Sequence, residues 1–130
     1  MRMKMLCLTI RIKRNDEFNH KRLNKLIIDY LIKHKISGAT VWTGVDGFGK
    51  RRRSTLTIEG ITMNMPMIIE VIDEKSKLEP LLPDLKMMVD DNGIVTIHEV
   101  DVIWNNVFTK GLQKISSHFL KASSKTLVID

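Results

Sequence analysis

Between Met3 and Lys13 apolar side chains alternate with Lys, Arg and Thr, so Leu6, Leu8, Ile10 and Ile12 share one face of an extended strand. The period then changes. Leu23, Leu26, Ile27, Tyr30 and Leu31 recur at three- and four-residue steps, which predicts a helix with one core-facing stripe. Asn15 or Asp16 is its candidate cap and Gly38 its left-handed stop, with Lys33, His34 and Lys35 in the last turn where cations favour the helix dipole. A second strand follows over Ala39 to Gly44, then a glycine-rich basic connection from Val45 to Ser54. From Thr55 an extended pattern resumes, with Ile61, Met63, Met65, Met67, Ile69 and Val71 on one face, a bend or bulge at Gly60 and Pro66, and an end near Asp73.

Helical spacing returns with Leu78, Leu81, Leu82, Leu85, Met88 and Val89, where Pro80 and Pro83 fit because they fall in the opening turns. Asp91, Asn92 and Gly93 turn the chain into a last strand, Ile94 to Ile103. The order β-α-β-β-α-β predicts an α+β, ferredoxin-like sandwich in which two helices cover one face of a four-stranded antiparallel sheet. We assign residues 1–103 to this domain. Residues 104–130 form a carboxyl-terminal extension, partly helical from Val107, Leu112, Ile115, Phe119 and Leu120 at imperfect helical steps.

With 130 residues and 43% hydrophobic content the chain holds one domain with a sizeable core. The single Cys7 excludes an intramolecular disulfide and fits a reducing, cytoplasmic setting. Charges interrupt every apolar run, so no membrane insertion is expected, and the alternating amino terminus is unlike a signal peptide. The net charge of +6 hides a polarity: residues 1–55 carry 14 basic and 4 acidic side chains, whereas residues 56–103 carry 3 basic and 10 acidic. Such a distribution suits phosphate capture, nucleic acid or self-association alike.

The segment Gly44 to Arg53, GVDGFGKRRR, stands out for chemistry. Its glycines let backbone N–H groups curl into a concave anion nest and its consecutive cations supply charge for phosphate. Gly44, Gly49 and Lys50 mimic a Walker spacing, but Arg51 stands where Ser or Thr would hold magnesium, and a strand rather than a helix follows. None of His20, His34, His98 and His118 lies at metal-ligand spacing, and no nucleophile with a base and an orienting group is present, so no enzyme is expected.

Within this order of elements, Gly38, Thr40 and Val41 followed by Gly47, Phe48, Gly49 and Lys50 resemble the PII-like signalling superfamily. MIIEVID from Met67 to Asp73 is similar to that family's third-strand signature. The stretch KLEPLLPDLKMMVDDNGIVTIHEVDV looks most like its domain-of-unknown-function branch. The resemblance implies a homotrimer that binds an adenine nucleotide (ATP, ADP, AMP or cyclic AMP) in clefts between subunits and signals to a partner protein through the loop after the second strand. It implies ligand contacts at Gly47, Phe48, Gly49, Lys50 and Arg51, with Thr40 and Glu70 at the base or ribose and Gly93 allowing the opposite subunit to come close. The chain departs from the family in having Ile94 after Gly93, where other members place a lysine, and in lacking a modifiable loop tyrosine. The competing expectation is a nucleic-acid-binding ferredoxin-like domain using the KRRR loop and the basic first strand against phosphate. Against it, Trp42 is the one aromatic residue on the four expected strands, too few for a base-stacking sheet.

Overall fold

The computed structural model describes residues 2–49, the backbone of 53–55, and residues 64–103. In chain order the elements are β1 (Met3–Lys13), β2 (Glu17–Phe18), β3 (Lys21–Arg22), α1 (Leu23–Lys33), β4 (Thr40–Thr43), β5 (Asp46–Phe48), β6 (Arg53–Thr55), β7 (Pro66–Asp73), α2 (Lys75–Leu78), α3 (Leu82–Val89) and β8 (Ile94–Val102). Short 3-10 turns occupy Glu79–Leu81 and Asp90–Asn92. Strands β4, β7, β1 and β8 form the antiparallel sheet in that order, the ferredoxin-like arrangement expected from the sequence.

Register explains the core. Leu8 faces Val71 and Ile10 faces Ile69 across β1 and β7, so alternation sends these four side chains to the same face of the sheet. Leu23, Ile27 and Leu31 from α1, with Leu78, Leu81, Leu85, Met88 and Val89 from the second helical segment, close over them. Leu8, Ile10, Leu23, Ile27 and Leu85 are wholly buried, each contributing about 1.5–3 kcal/mol by its removal from water. The second helical segment is broken as its prolines require: Pro80 lies in the 3-10 turn and Pro83 in the first turn of α3, positions where a missing N–H costs nothing.

Local expectations needed three corrections. Asp16 does not cap α1. Asn19 and His20, with φ of 51° and 65°, form the turn of a small β2–β3 hairpin inserted ahead of the helix. The Asp16 carbonyl instead accepts from the Leu23 N–H at 2.9 Å, while its carboxylate accepts from the Lys13 N–H at 2.7 Å. Nor does Gly38 stop the helix: Lys35 takes the left-handed conformation at φ 60°, its N–H donates to Ile32 and the Ile36 N–H to Leu31, a Schellman closure three residues early. The basic connection contains a hairpin of its own, β5 with β6, pairing Asp46 with Thr55, Gly47 with Ser54 and Phe48 with Arg53. Gly60, Ile61, Met63 and the carboxyl-terminal extension lie outside the described residues.

The chain divides into two units. Met5–Val100 is one; the other comprises Met1–Lys4 and Asp101–Asp130, described only at Arg2–Lys4 and Asp101–Ile103. In it Arg2 and Asp101 make an exposed ion pair at 3.8 Å, the kind of contact that adds little stability. No helix among the described residues is long and apolar enough to cross a membrane.

Candidate functional site

After β4 the chain is pressed against the start of β7. The Gly44 N–H donates to the Pro66 carbonyl at 2.7 Å, and a Cβ on residue 44 would stand 2.8 Å from Pro66 Cγ, so only glycine passes here without displacing the proline. This contact seats the β5–β6 hairpin at the Pro66 end of the sheet. Phe48 projects from it with 90% of its surface exposed.

A second turn arrives at the same end. Asp90, at φ 47°, redirects the chain out of α3, and Gly93 then runs extended so close to β1 that any Cβ would fall on the Arg11 carbonyl. Glycine is demanded by this backbone approach rather than by its φ of −164°. This close approach is to the chain's own strand β1. Asn92 Nδ2 donates to the Glu17 carbonyl at 3.4 Å, and the Arg14 N–H donates to the Met65 carbonyl at 2.9 Å, tying this end of the sheet together.

Hairpin and turn enclose a cleft of about 290 Å³. Gly47, Phe48 and Gly49 form one wall, Asp91, Asn92, Gly93 and Ile94 another, and Arg11, Ile12, Lys13 and Pro66 the strand ends between them. Four residues singled out from the sequence, Gly47, Phe48, Gly49 and Gly93, therefore meet although more than forty positions separate the segments. Thr40 and Glu70 do not line this cleft; they sit opposite each other on β4 and β7, on the sheet face away from the helices. Lys50 and Arg51 lie outside the described residues. Sequence reasoning set the basic first strand against phosphate only in the nucleic-acid alternative and did not name Arg11 and Lys13 as cleft residues; a basic pair two positions apart at a strand end was the available signal.

The cleft is mixed in charge: Arg11 and Lys13 face one acid of the lining, Asp91. The Gly47 N–H, a candidate donor, is taken up at 2.9 Å by the neighbouring Asp46 carboxylate, so an incoming anion would compete with that side chain. Two shifted ionisable groups lie elsewhere. Asp73, 3% exposed, accepts from the Ser37 N–H at 2.9 Å, the Ser37 hydroxyl at 3.0 Å and the Glu74 N–H at 2.7 Å, with Lys77 Nζ at 3.2 Å. Burial pushes its pKa up, but these hydrogen bonds and the ammonium outweigh burial and hold it below the ordinary value. Tyr30 is pushed up to about 12 by burial and by Asp84, whose carboxylate accepts its hydroxyl at 2.6 Å and so links α1 to α3.

Sheet order and helix placement together define a ferredoxin-like fold that PII-like proteins share. CPII from Thiomonas intermedia, a nitrogen regulatory PII-like protein whose structure is bound to ADP, AMP and bicarbonate, aligns with a TM-score of 0.62 at 18% identity over 78% of this chain and 91% of that one. At that identity the likeness speaks for the fold. The chain belongs to the DUF190 family, described as "Uncharacterized ACR", whose model matches residues 5–102. It is 33% identical over 95 residues to a UPF0166 protein of Methanocaldococcus jannaschii, covering 73% of this chain and 88% of the relative. A UPF0166 protein of Aquifex aeolicus is 26% identical over 91 residues, covering 69% and 85% respectively.

Proposed function

We propose that this protein is a PII-like regulatory module that binds an adenine nucleotide in the cleft between the β5–β6 hairpin and the Gly93 turn. The observation that carries this reading is the convergence of Gly47, Phe48 and Gly49 with Gly93 on one cleft. Two close backbone approaches, Gly44 to Pro66 and Gly93 to Arg11, build that cleft from opposite sides. The structure of CPII bound to ADP and AMP on the same fold supports an adenine nucleotide as the ligand. Lys50 and Arg51, next in the sequence, supply positive charge to the phosphates, and the hairpin passes the change on to a partner protein.

We further propose a homotrimer. Trp42, Ile72 and Ile94, on three strands of the sheet face away from the helices, are 52%, 43% and 60% exposed. Apolar area of this kind on several strands favours a second copy over solvent. Thr40 and Glu70 share that face, where a neighbouring subunit brings its ligand against them. Sedimentation equilibrium tests the assembly; a concentration-independent monomer contradicts it.

Calorimetry with ATP, ADP, AMP and cyclic AMP tests the site. Gly49→Val narrows the hairpin wall, and Lys50→Ala with Arg51→Ala removes charge-assisted hydrogen bonds worth about 1.5–3 kcal/mol each, so both variants should bind at least about tenfold more weakly. Unchanged binding in the variants moves the site elsewhere. No binding of any of the four by the wild type rejects the nucleotide reading.

A further inference from the structure

We propose that the groove between the β2–β3 hairpin and α1 is a docking site for a partner protein, which it takes by an acidic segment carrying one large apolar side chain. The inference stands apart from the nucleotide reading, since groove and cleft have no lining residue in common.

The groove holds about 340 Å³, and its apolar lining is Phe18 from β2, Leu26 and Tyr30 from α1 and Met88 from α3. This lining is anchored before any partner arrives. Met88 is 8% exposed and belongs to the core, and Phe18 and Tyr30 pack against that core. Tyr30 is held twice over: its hydroxyl donates to Asp84 at 2.6 Å, and the centroids of its ring and the His34 ring are 4.3 Å apart. With the phenol already bonded, Tyr30 offers the groove its ring. Leu26, Tyr30 and Lys33 follow at helical steps of four and three, so one face of α1 presents the apolar pair and a cation together.

The polar part of the lining is basic in balance. Lys21, paired with Phe18 across the hairpin, and Lys33, in the last turn of α1, are exposed, and among the described residues no ion pair engages either. The one acid of the lining, Asp29, is met by Lys25 at 3.4 Å, so its charge is offset from outside the groove. Charge complementarity therefore asks for acids beside the apolar group. Because Asn19, Lys21, Asp29 and Lys33 are all exposed, a small ligand would stay open to water here, whereas a partner carries its own body over the rim and shields the contact. A second copy of the chain fits less well: Phe48, the side chain it could insert, is followed by the basic run Lys50 to Arg53, which the two lysines repel.

A random dodecapeptide display library selected on the full chain tests this, with the affinities of recovered peptides read by fluorescence anisotropy. Recovered sequences should carry a Phe, Trp, Tyr or Leu flanked by Asp or Glu. Truncating that apolar residue to Ala should weaken binding by about tenfold or more, a loss that general attraction to a basic protein would not produce. The double variant Lys21→Glu, Lys33→Glu should lose the acidic peptides by about tenfold or more and gain the same peptides rewritten with Lys for Asp and Glu. A thermal melt checks folding; if the double variant melts early, Lys33→Glu alone carries the comparison. In a chemical-shift titration the peptide should move Phe18, Leu26, Tyr30 and Met88. Binding that survives the charge reversal, shifts centred elsewhere, or no peptide enriched on wild type over the variant overturns the site. Phenylacetate bound as tightly as the peptides makes it a small-molecule pocket, and a wild-type oligomer that the variant dissolves makes the occupant a second copy; either overturns the partner reading. All of these outcomes leave the nucleotide cleft standing.

Discussion

Strand β7 meets a cleft at its Pro66 end and a buried carboxylate at its Asp73 end, and the two ends are built by opposite means. At Pro66 the backbone of other segments is brought close through glycines, leaving lined space and exposed side chains such as Phe48. At Asp73 a buried acceptor gathers Ser37, Glu74 and Lys77. The Pro66 end keeps lined space and exposed side chains, whereas the Asp73 end spends its carboxylate on hydrogen bonds within the protein. Stability and binding should therefore separate along a single strand.

The largest effect that can break this comparison is Gly93→Val. Its side chain has nowhere to go but into the Arg11 backbone, so we expect a loss of about 3 kcal/mol by urea denaturation together with loss of nucleotide binding. Retained stability would mean that the turn before β8 yields easily and that the cleft is not preformed.

Asp73→Ala is next. It strands two backbone N–H groups and an ammonium, and should cost about 2–3 kcal/mol while leaving ligand affinity of the folded protein unchanged. The pH dependence sharpens the test. Because the folded pKa of Asp73 is depressed, its stabilisation is complete above the unfolded carboxyl value of about 3.9 and declines as pH falls through the lower folded value. The stability advantage of wild type over Asp73→Asn should be constant above about pH 5 and shrink below about pH 4. An advantage that grows on acidification has the wrong sign.

Tyr30→Phe removes the half-exposed link to Asp84 and should cost about 1 kcal/mol or less. With its phenol pushed up to about 12, the stability contributed by Tyr30 is present below its unfolded value of about 10 and is lost as pH rises toward 12. Ultraviolet titration of the single tyrosine reads this directly. Phe48→Ala is the smallest in stability, within about 0.5 kcal/mol because the ring is almost wholly exposed, yet it should weaken nucleotide binding. A destabilised Phe48→Ala with unaltered binding would reverse the roles assigned to the hairpin.

The sheet and its core were legible because they rest on periodicity: Leu8, Ile10, Ile69 and Val71 announce their face by alternation, and Leu23, Ile27 and Leu31 by helical spacing. The left-handed stop was misplaced because Gly38 is the conformationally cheapest residue nearby, while the Ile36 N–H reaches Leu31 earlier and holds Lys35 there. The β2–β3 hairpin escaped notice because its two-residue strands carry no period. For the site, the glycines could be found as a local cluster, but Gly93 reads as a mere turn until the Arg11 carbonyl is seen against it. Arg11 and Lys13 could not be read as cleft lining because only the fold brings the hairpin to their end of β1.

The most direct test of the nucleotide cleft is an amide chemical-shift titration of the protein with ADP. The account predicts progressive shifts at Gly47, Gly49, Gly93 and the neighbouring Arg11 and Lys13, with Ser37, Glu74 and Lys77 around Asp73 unmoved. Shifts centred on the Asp73 end, or none at saturating ADP, would contradict it.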